Sequence, residues 1–160
     1  MIKYLVMDVD GTLTDGKIYM SNTGELMKAF NIKDGAGIHD ILIPCGIIPV
    51  IITGRSSDIV LNRCKELGIT EVHQGVSNKI EKLITLIGGE KYLNTVAYIG
   101  DDINDLSCMK PVNEAGGLVG CPADAVKKVK DIADYIAPHN GGDGAVREFI
   151  EWLVYKNNLL

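Results

Sequence analysis

The sequence predicts an α/β fold, a doubly wound parallel sheet of the Rossmann-like kind with one projecting β-hairpin. Short apolar runs alternate with segments of helical periodicity, which is the order of parallel strands joined by crossover helices. Polar clusters directly follow three of the apolar runs, as ligand-binding residues do at the carboxyl edge of such a sheet. The chain has 160 residues, a length that fits one domain spanning 1–160.

The first third of the chain contains a strand, a hairpin and a helix. The first strand is the apolar run YLVMDV at 4–9. Two alternating runs at 17–32 flank the turn SNTG, which predicts a β-hairpin that leaves the main sheet. A helix is predicted to start at Asp34 and to end before Pro44 and Gly46.

The rest of the chain repeats the strand and helix alternation. IIPVIIT at 47–53 is the second core strand, and a helix follows at 56–67, with Ser56 as its N-cap and Gly68 closing its C-terminus. The remaining predicted elements are a short strand at 71–75, a helix at 79–87, a fourth core strand at 95–102, a helix at 103–109, weak edge strands at 116–120 and 134–138, and a terminal helix at 145–155.

Composition excludes several classes of protein. The chain is 46% hydrophobic and 23% charged, ordinary values for a globular protein, and no apolar stretch reaches the roughly 20 residues that span a bilayer. Its formal net charge of -5 is unsuited to a nucleic-acid partner. The four cysteines form no CxxC pair, which suits reduced thiols. We therefore expect a cytoplasmic protein that binds neither membranes nor nucleic acid.

The clusters after the first and fourth core strands are rich in carboxylates. They read DVDGT and GDDIND and contain Asp8, Asp10, Asp101, Asp102 and Asp105. Like charges brought to one sheet edge repel each other unless a cation lies among them, and Mg²⁺ is the expected ion. Because Mg²⁺ takes only one or two protein carboxylates, the other acids must have different roles.

The remaining groups suit phosphoryl transfer. One carboxylate can attack phosphorus while a second handles the proton of the leaving and entering oxygens. Thr53, at the end of the second core strand, offers a hydroxyl to a phosphoryl oxygen. Lys79, at the start of a helix, offers positive charge where that oxygen becomes negative.

In order along the chain, DVDGT, ITGR, the lysine before a helix and GDDIND resemble the four motifs of the haloacid dehalogenase-like (HAD-like) phosphatase superfamily. The resemblance implies that Asp8 is the nucleophile that forms an aspartyl-phosphate and that Asp10 is the general acid and then base. It also implies that Asp8, the main-chain carbonyl of Asp10 and Asp101 hold Mg²⁺, and that Thr53 and Lys79 bind the phosphate. Asp102 and Asp105 would orient the metal waters and Lys79.

A closer resemblance covers nearly the whole chain. DVDGTLTDGKIYMSNTGELMKAFNIKDGAGI, ITGRSS, RCKELGI, HQGVSNK, VAYIGDDINDL and GGDGAVRE are similar to the phosphatases of 3-deoxy-D-manno-octulosonate 8-phosphate, which lack a cap domain. This implies a sugar acid phosphate as substrate and a homo-oligomer, a tetramer in that family. Besides Asp10 and Lys79, the residues at substrate-contact positions are Asn31, Lys33, Asp34, Gly35, Arg55 and Arg63. An arginine fork such as that of Arg55 suits a sugar carboxylate.

Other assignments stay open at this point. Phosphatases of nine-carbon sialic acid 9-phosphates share much of the pattern, and Thr12, Lys33 and His39 depart from residues common in the octulosonate enzymes. A non-catalytic assembly domain, a receiver domain and a phosphatase for macromolecules are further alternatives. Plainer roles are also open, such as surface pairing for Arg55 and an ordinary loop for 141–144.

The hairpin is predicted to pack against a neighbouring subunit. Its apolar side chains include Ile18, Met20, Leu26 and Phe30. A two-stranded hairpin is marginal in water, so its apolar side chains need a cover. The alternative is that the hairpin folds back on its own sheet.

Overall fold

A computed structural model describes residues 1–158 of the chain. The strands are β1 (Tyr4–Met7), β2 (Tyr19–Ser21), β3 (Gly24–Met27), β4 (Ile48–Ile52), β5 (Glu71–His73), β6 (Val96–Ile99), β7 (Leu118–Cys121) and β8 (Tyr135–Ile136). The α-helices are α1 (Ile32–Ala36), α2 (Asp58–Glu66), α3 (Lys79–Ile87), α4 (Leu106–Glu114), α5 (Lys127–Lys130) and α6 (Ala145–Lys156). A π-helical segment covers Gly37–Leu42, and 3₁₀ turns cover Glu90–Thr95 and Ile103–Asp105.

Six of the strands form a parallel sheet in the order β5-β4-β1-β6-β7-β8. The predicted fold class is therefore confirmed. The chain adds strands on one side of β1 and then crosses to the other side, so β1 lies between β4 and β6. Strand order reverses at this point, and the loops after these three strands open a crevice at the carboxyl edge.

Both faces of the sheet are covered, because successive strand residues point to opposite sides. On one face, Leu5 and Met7 of β1 pack in a buried cluster with the π-helical segment, α2 and α6. On the other face, Val6 packs in a second cluster with α3, α4 and α5. Continuous apolar runs such as IIPVIIT are typical of strands buried on both faces.

The predicted hairpin is also confirmed. β2 and β3 pair antiparallel in a separate two-stranded sheet that turns within SNTG. Ile18, Met20 and Leu26 are exposed, with 61% of Met20 and 63% of Leu26 accessible to solvent. Phe30 differs from them, because it packs against the core of its own chain.

Two predicted helix starts are wrong. The helix expected to start at Asp34 begins at Ile32, because the Asn31 side chain accepts the Lys33 N–H at 2.8 Å. Ser56 does not cap α2. The residue before that helix is Ser57, and its hydroxyl donates to Glu25 instead of capping.

The chain between 88 and 131 holds more helix than predicted. The segment expected at 103–109 is a 3₁₀ turn followed by α4, which continues to Glu114. The 3₁₀ turn Glu90–Thr95 and the short helix α5 were not predicted. In contrast, α3 has the predicted bounds, and α6 starts at the predicted residue.

Among residues 1–158 no helix has both the length and the apolar character needed to cross a membrane. All four cysteines are free thiols, and three of them are buried.

Candidate active site

The carboxyl ends of β1, β4 and β6 surround a cavity of about 290 Å³. Asp8 and Asp10 come from the loop after β1, Thr53 and Arg55 from the loop after β4, and Asp101 from the loop after β6. The strands are neighbours in the sheet, so residues far apart in sequence meet at one edge. The remaining lining residues are Gly16, Gly54, Asp102 and Asn104.

The loop after β1 turns sharply to bring both of its acids to this edge. Gly11 has a φ of 92°, a left-handed conformation that favours glycine. A Cβ at this position would collide with the Asp101 carboxylate. The Thr14 hydroxyl oxygen accepts the Gly11 N–H at 3.3 Å, and that hydroxyl lies 3.4 Å from the Val9 carbonyl. The close approach of this loop to Asp101 therefore requires glycine at position 11.

A buried lysine joins the two carboxylate clusters. Lys79 is 4% exposed, and its Nζ donates to Asp8 Oδ1 at 2.9 Å and to Asp105 Oδ1 at 2.8 Å. Burial by itself lowers the pKa of Lys79, but the Asp8 and Asp105 charges outweigh it and the net pKa is raised. Lys79 is therefore a cation fixed beside Asp8.

Asp105 is an anchor for the site. Its Oδ1 accepts from Lys79 and from the Tyr98 hydroxyl at 2.9 Å, and its Oδ2 accepts the backbone N–H groups of Asp101 and Asp102 at 3.1 and 3.3 Å. Two carboxylate oxygens offer about four acceptor positions, so Asp105 is saturated. Sequence reasoning missed Tyr98. The only signal was a polar tip within the apolar run VAYI.

Asp8, Asp101 and Asp105 each offer a carboxylate oxygen, and these oxygens lie within 4.8 Å of one another. Since Asp105 is saturated by donors, Asp8 and Asp101 are the two left for a metal. Burial first, and then the charges of Asp8 and Asp105, raise the pKa of Asp101 to about 7. Burial and Asp105 likewise raise the pKa of Asp8. A divalent cation would relieve this repulsion, and two carboxylates match what Mg²⁺ takes from a protein.

Thr12 and Asp102 complete the surroundings of Asp101. The Thr12 hydroxyl donates to Asp101 Oδ1 at 3.1 Å, a contact that the sequence did not reveal. Asp102, predicted to help orient Lys79, is the exposed N-cap of the following 3₁₀ turn, and its side chain accepts the Ile103 N–H. Of Asp102 and Asp105, the two acids expected to orient Lys79, only Asp105 contacts it.

The hairpin reaches the site through Lys28 and Glu25. Lys28 Nζ donates to Asp10 Oδ1 at 2.5 Å and lies 2.9 Å from Glu25 Oε1. Arg55 is farther away, with its Nε 3.9 Å from Asp10 Oδ2. These two polar side chains therefore contact loops of their own chain, and packing of the hairpin against a neighbouring subunit stays a prediction. Sequence reasoning missed Lys28 and Glu25.

No protein-family model matches the chain. The 3-deoxy-D-manno-octulosonate 8-phosphate phosphatase KdsC of Escherichia coli K12 is 46% identical over 156 residues, which cover 96% of this chain and 79% of that protein. The enzyme of the same name from Yersinia pestis is 42% identical over 163 residues, covering 99% and 83% of the two chains. The chain belongs to the 3-deoxy-D-manno-octulosonate 8-phosphate phosphatase family. It is accordingly a phosphatase of the HAD superfamily.

Solved structures of family members agree with the fold. A complex of the Moraxella catarrhalis enzyme with magnesium, phosphate and KDO has a TM-score of 0.88 and 41% identity, covering 99% of this chain and 89% of that one. A cobalt-bound Haemophilus influenzae enzyme has a TM-score of 0.86 and 34% identity over 98% and 86% of the chains. Together with the Asp8 and Asp101 cluster, the magnesium-containing relative confirms the predicted cofactor, Mg²⁺.

The other predicted substrate contacts lie away from the cavity of the single chain. Asn31 caps α1, and Lys33 is exposed on that helix. The Asp34 carboxylate is buried, and its Oδ1 accepts the Arg147 N–H at 2.9 Å. Arg63 pairs with Glu66 at 2.9 Å. A second, small cavity is lined in part by Asn31, Asp34, Gly35 and Arg63. Contact of these four residues and Lys33 with substrate stays a prediction.

The glycine-rich segment 141–144 packs against the loop after β1. The Gly142 N–H donates to the Thr12 carbonyl at 3.1 Å, and the Gly141 N–H donates to Asp124 at 2.9 Å. A Cβ at Gly141 would collide with the Gly11 carbonyl. These glycines therefore allow a close approach that supports the loop carrying Asp8 and Asp10.

Proposed function

We propose that this protein hydrolyses 3-deoxy-D-manno-octulosonate 8-phosphate to the free sugar acid and phosphate through an aspartyl-phosphate on Asp8. The observation that carries the proposal is that Asp8, held by Lys79, and Asp10 line one open cavity together with Thr53 and Arg55. The division of roles between two carboxylates in different surroundings is what such a reaction requires.

In the first half-reaction a carboxylate oxygen of Asp8 attacks phosphorus, and the bond from phosphorus to the sugar oxygen breaks. Lys79 donates to Oδ1 of the buried Asp8 carboxylate, the oxygen that does not attack, and supplies positive charge for the negative charge that develops on the phosphoryl group. Thr53 offers its hydroxyl from the end of the neighbouring parallel strand, β4. Protonated Asp10 gives its proton to the leaving sugar oxygen.

In the second half-reaction water attacks the phosphorus of the aspartyl-phosphate. Asp10, now a carboxylate, takes a proton from that water, and the bond between phosphorus and the Asp8 oxygen breaks. Inorganic phosphate leaves, and both carboxylates return to their starting states. The cavity is open to solvent, which suits a reaction that needs water as its second substrate.

Asp8 and Asp101, with the main-chain carbonyl of Asp10, would hold Mg²⁺. When bound, the ion supplies positive charge for the phosphoryl oxygens and for the carboxylates around it. Lys79 by itself is shared by two carboxylates, Asp8 and Asp105, so the described cluster retains excess negative charge without a further cation.

Arg55 is the group proposed to select a sugar acid. Its side chain is 45% exposed at the cavity, and its nearest carboxylates, on Asp10 and Glu25, lie 3.9 and 3.7 Å away. The guanidinium is thus only loosely paired and can turn to a substrate carboxylate. The names of the relatives favour the octulosonate substrate over a nine-carbon sialic acid phosphate, and over a non-catalytic role.

Release of phosphate from the sugar acid phosphate by purified protein tests the proposal. Asp8→Asn should abolish turnover, and Asp10→Asn should lower its rate by roughly 10² to 10⁴, the usual contribution of a general acid-base group. Asp15→Asn is the matched control, because Asp15 is an exposed acid in the same loop. EDTA should stop the reaction and Mg²⁺ restore it. Near-normal turnover by Asp8→Asn, or full activity in EDTA, would contradict the mechanism.

The proposal includes a homotetramer in the cytoplasm. The exposed apolar side chains of the hairpin support assembly, since a neighbouring subunit could cover them. Assembly is also the way in which Lys33 and Arg63 could reach a substrate bound in a neighbouring cavity. The four free thiols suit a reducing compartment.

A further inference from the structure

The side chain of Lys28 is nearly inaccessible, although most of the hairpin around it is exposed. Its side chain is 2% accessible, although the preceding residues Leu26 and Met27 are 63% and 47% exposed. A buried ammonium group is costly unless it is paired and hydrogen-bonded. The hairpin therefore directs its one buried cation to a defined place, and that place is the carboxylate of Asp10.

Lys28 contacts Asp10 from outside the cavity. Its Nζ donates to Asp10 Oδ1 at 2.5 Å, but Lys28 is not among the residues that line the cavity. The other oxygen, Asp10 Oδ2, has Arg55 Nε at 3.9 Å, beyond hydrogen-bond distance. Only one of the two Asp10 oxygens is thus held, and Oδ2 is left for the substrate.

Lys28 is itself fixed by the hairpin. Glu25 Oε1 lies 2.9 Å from Lys28 Nζ, and Glu25 Oε2 accepts the Ser57 hydroxyl at 2.5 Å. Ser57 in turn donates its N–H to Gln74 at 2.9 Å. A continuous chain of hydrogen bonds therefore runs from the loop before α2, through the hairpin, to Asp10.

We propose that Lys28, held in place by Glu25, is a positioning residue that orients the Asp10 carboxylate so that Oδ2 faces the leaving oxygen of the substrate. The inference rests on the proposed function, in which Asp10 protonates that oxygen. Lys28 lies outside the cavity lining, and Asp10 is the only cavity residue to which its side chain is bonded, so its effect on the reaction is expected to pass through Asp10. The hairpin would then position the general acid of the reaction, in addition to any role in assembly.

Leaving-group dependence separates this role from a structural one. An alkyl phosphate such as the sugar acid phosphate needs a proton on its leaving oxygen, whereas p-nitrophenyl phosphate has a good leaving group that needs little help. Lys28→Met, which keeps chain length and removes the charge, should lower kcat/KM for the alkyl ester about 10- to 100-fold, within the range of general acid catalysis. For p-nitrophenyl phosphate we expect a change of less than about 3-fold. Equal losses on both esters would overturn the proposal.

A double-mutant cycle asks whether Lys28 acts through Asp10. The double variant Asp10→Asn with Lys28→Met should be no slower than Asp10→Asn alone, because the group that Lys28 orients is already lost. If the loss of activity in the double variant equalled the product of the two single losses, Lys28 would act independently of Asp10, and the proposal would be wrong. Glu25→Gln keeps Lys28 but weakens the ion pair that fixes it. This variant should lose kcat/KM for the alkyl ester more than for p-nitrophenyl phosphate, as Lys28→Met does, but by a smaller factor. Lys17→Met is the control, since Lys17 is an exposed lysine at the start of the same hairpin.

A structural measurement is independent of turnover. In a crystal structure of Lys28→Met the Asp10 carboxylate should rotate from its wild-type position, while in Lys17→Met it should stay. An unmoved Asp10 in Lys28→Met would overturn the inference. If the wild-type protein failed to hydrolyse either ester, the proposed function would fail, and the position of Asp10 in these crystals would still decide whether Lys28 orients it.

Discussion

At the scale of single residues, the site depends on how buried charges are neutralised. Lys79, Asp8 and Asp105 are all nearly inaccessible, and each of them would be costly alone. Asp105 accepts four hydrogen bonds, and one comes from the buried Tyr98 hydroxyl. The acid that looks like a metal ligand by proximity is therefore the one that holds the lysine and the loop after β6 in place.

Replacing Tyr98 with Phe tests this anchoring role. The substitution removes one donor to a buried carboxylate without opening space, so the free energy of unfolding should fall by about 1–3 kcal/mol. Urea unfolding of Tyr98→Phe against wild type measures it. Tyr155→Phe, which alters a tyrosine that is 76% exposed, should leave stability unchanged. Equal stability of Tyr98→Phe and wild type would contradict the account.

At the scale of elements, one carboxylate, that of Asp34 in α1, connects α1 to the start of α6. Asp34 Oδ1 accepts the Arg147 N–H in the first turn of α6, and Asp34 Oδ2 is buried without a hydrogen-bond partner among the described residues. Burial raises the pKa of Asp34 to about 6, although the backbone N–H groups at the start of α6 oppose this rise and Glu148 adds to it. The contact thus joins the two helices at the cost of burying an acid.

This arrangement predicts a pH dependence of stability. The folded state binds the Asp34 proton more tightly than the unfolded state, whose pKa is near the ordinary value of 3.8. This contribution to the free energy of unfolding is complete below about pH 4 and is lost as the pH rises through about 6. Its full value is about 3 kcal/mol. Urea unfolding between pH 4 and pH 7 measures this decrease.

Asp34→Asn isolates the contribution, because its amide oxygen can still accept the Arg147 N–H and cannot ionise. The variant should lack that decrease and should match or exceed the stability of wild type at pH 7. Asp143→Asn, at an exposed acid in the loop before α6, should retain the wild-type pH dependence. A wild-type profile unchanged by Asp34→Asn would show that another group is responsible.

At the scale of the whole molecule, the hairpin presents two different surfaces. Its polar side chains Glu25 and Lys28 turn to the active site, while Met20 and Leu26 face solvent at 61% and 63% exposure. The sequence alone groups Phe30 with these apolar side chains, but Phe30 packs against its own core. A test of assembly must therefore change Met20 and Leu26 and leave Phe30 intact.

The double substitution Met20→Glu with Leu26→Glu should dissociate the proposed tetramer, because charges would replace apolar groups that a neighbour covers. Sedimentation at micromolar protein should show a wild-type mass above that of one chain and a variant mass near it. Thr23→Glu, at the exposed hairpin turn, is the matched control and should leave the mass unchanged. A monomeric wild type at this concentration would refute the assembly.

Much of the fold could be predicted because local signals and burial agree. The continuous apolar run at 47–53 and the helix α3, with its predicted bounds, are examples in which periodicity and caps point to one structure. Helix starts were less predictable where two polar residues compete. Ser56 and Ser57 are both chemically able to cap α2. The structure places Ser57 at the N-cap position, but its hydroxyl donates to Glu25 of the hairpin and makes no capping hydrogen bond.

By itself, the sequence determined the α/β class, the acids at the strand ends and the expectation of a cation among them, since these follow from periodicity and from the repulsion of like charges. Only the tertiary structure decided which carboxylates are free. Asp105 is saturated by donors that include Tyr98, and Asp10 is held by Lys28, 18 residues away along the chain. Hydrogen-bond partners are set by distance in space, which the order of residues along the chain does not specify.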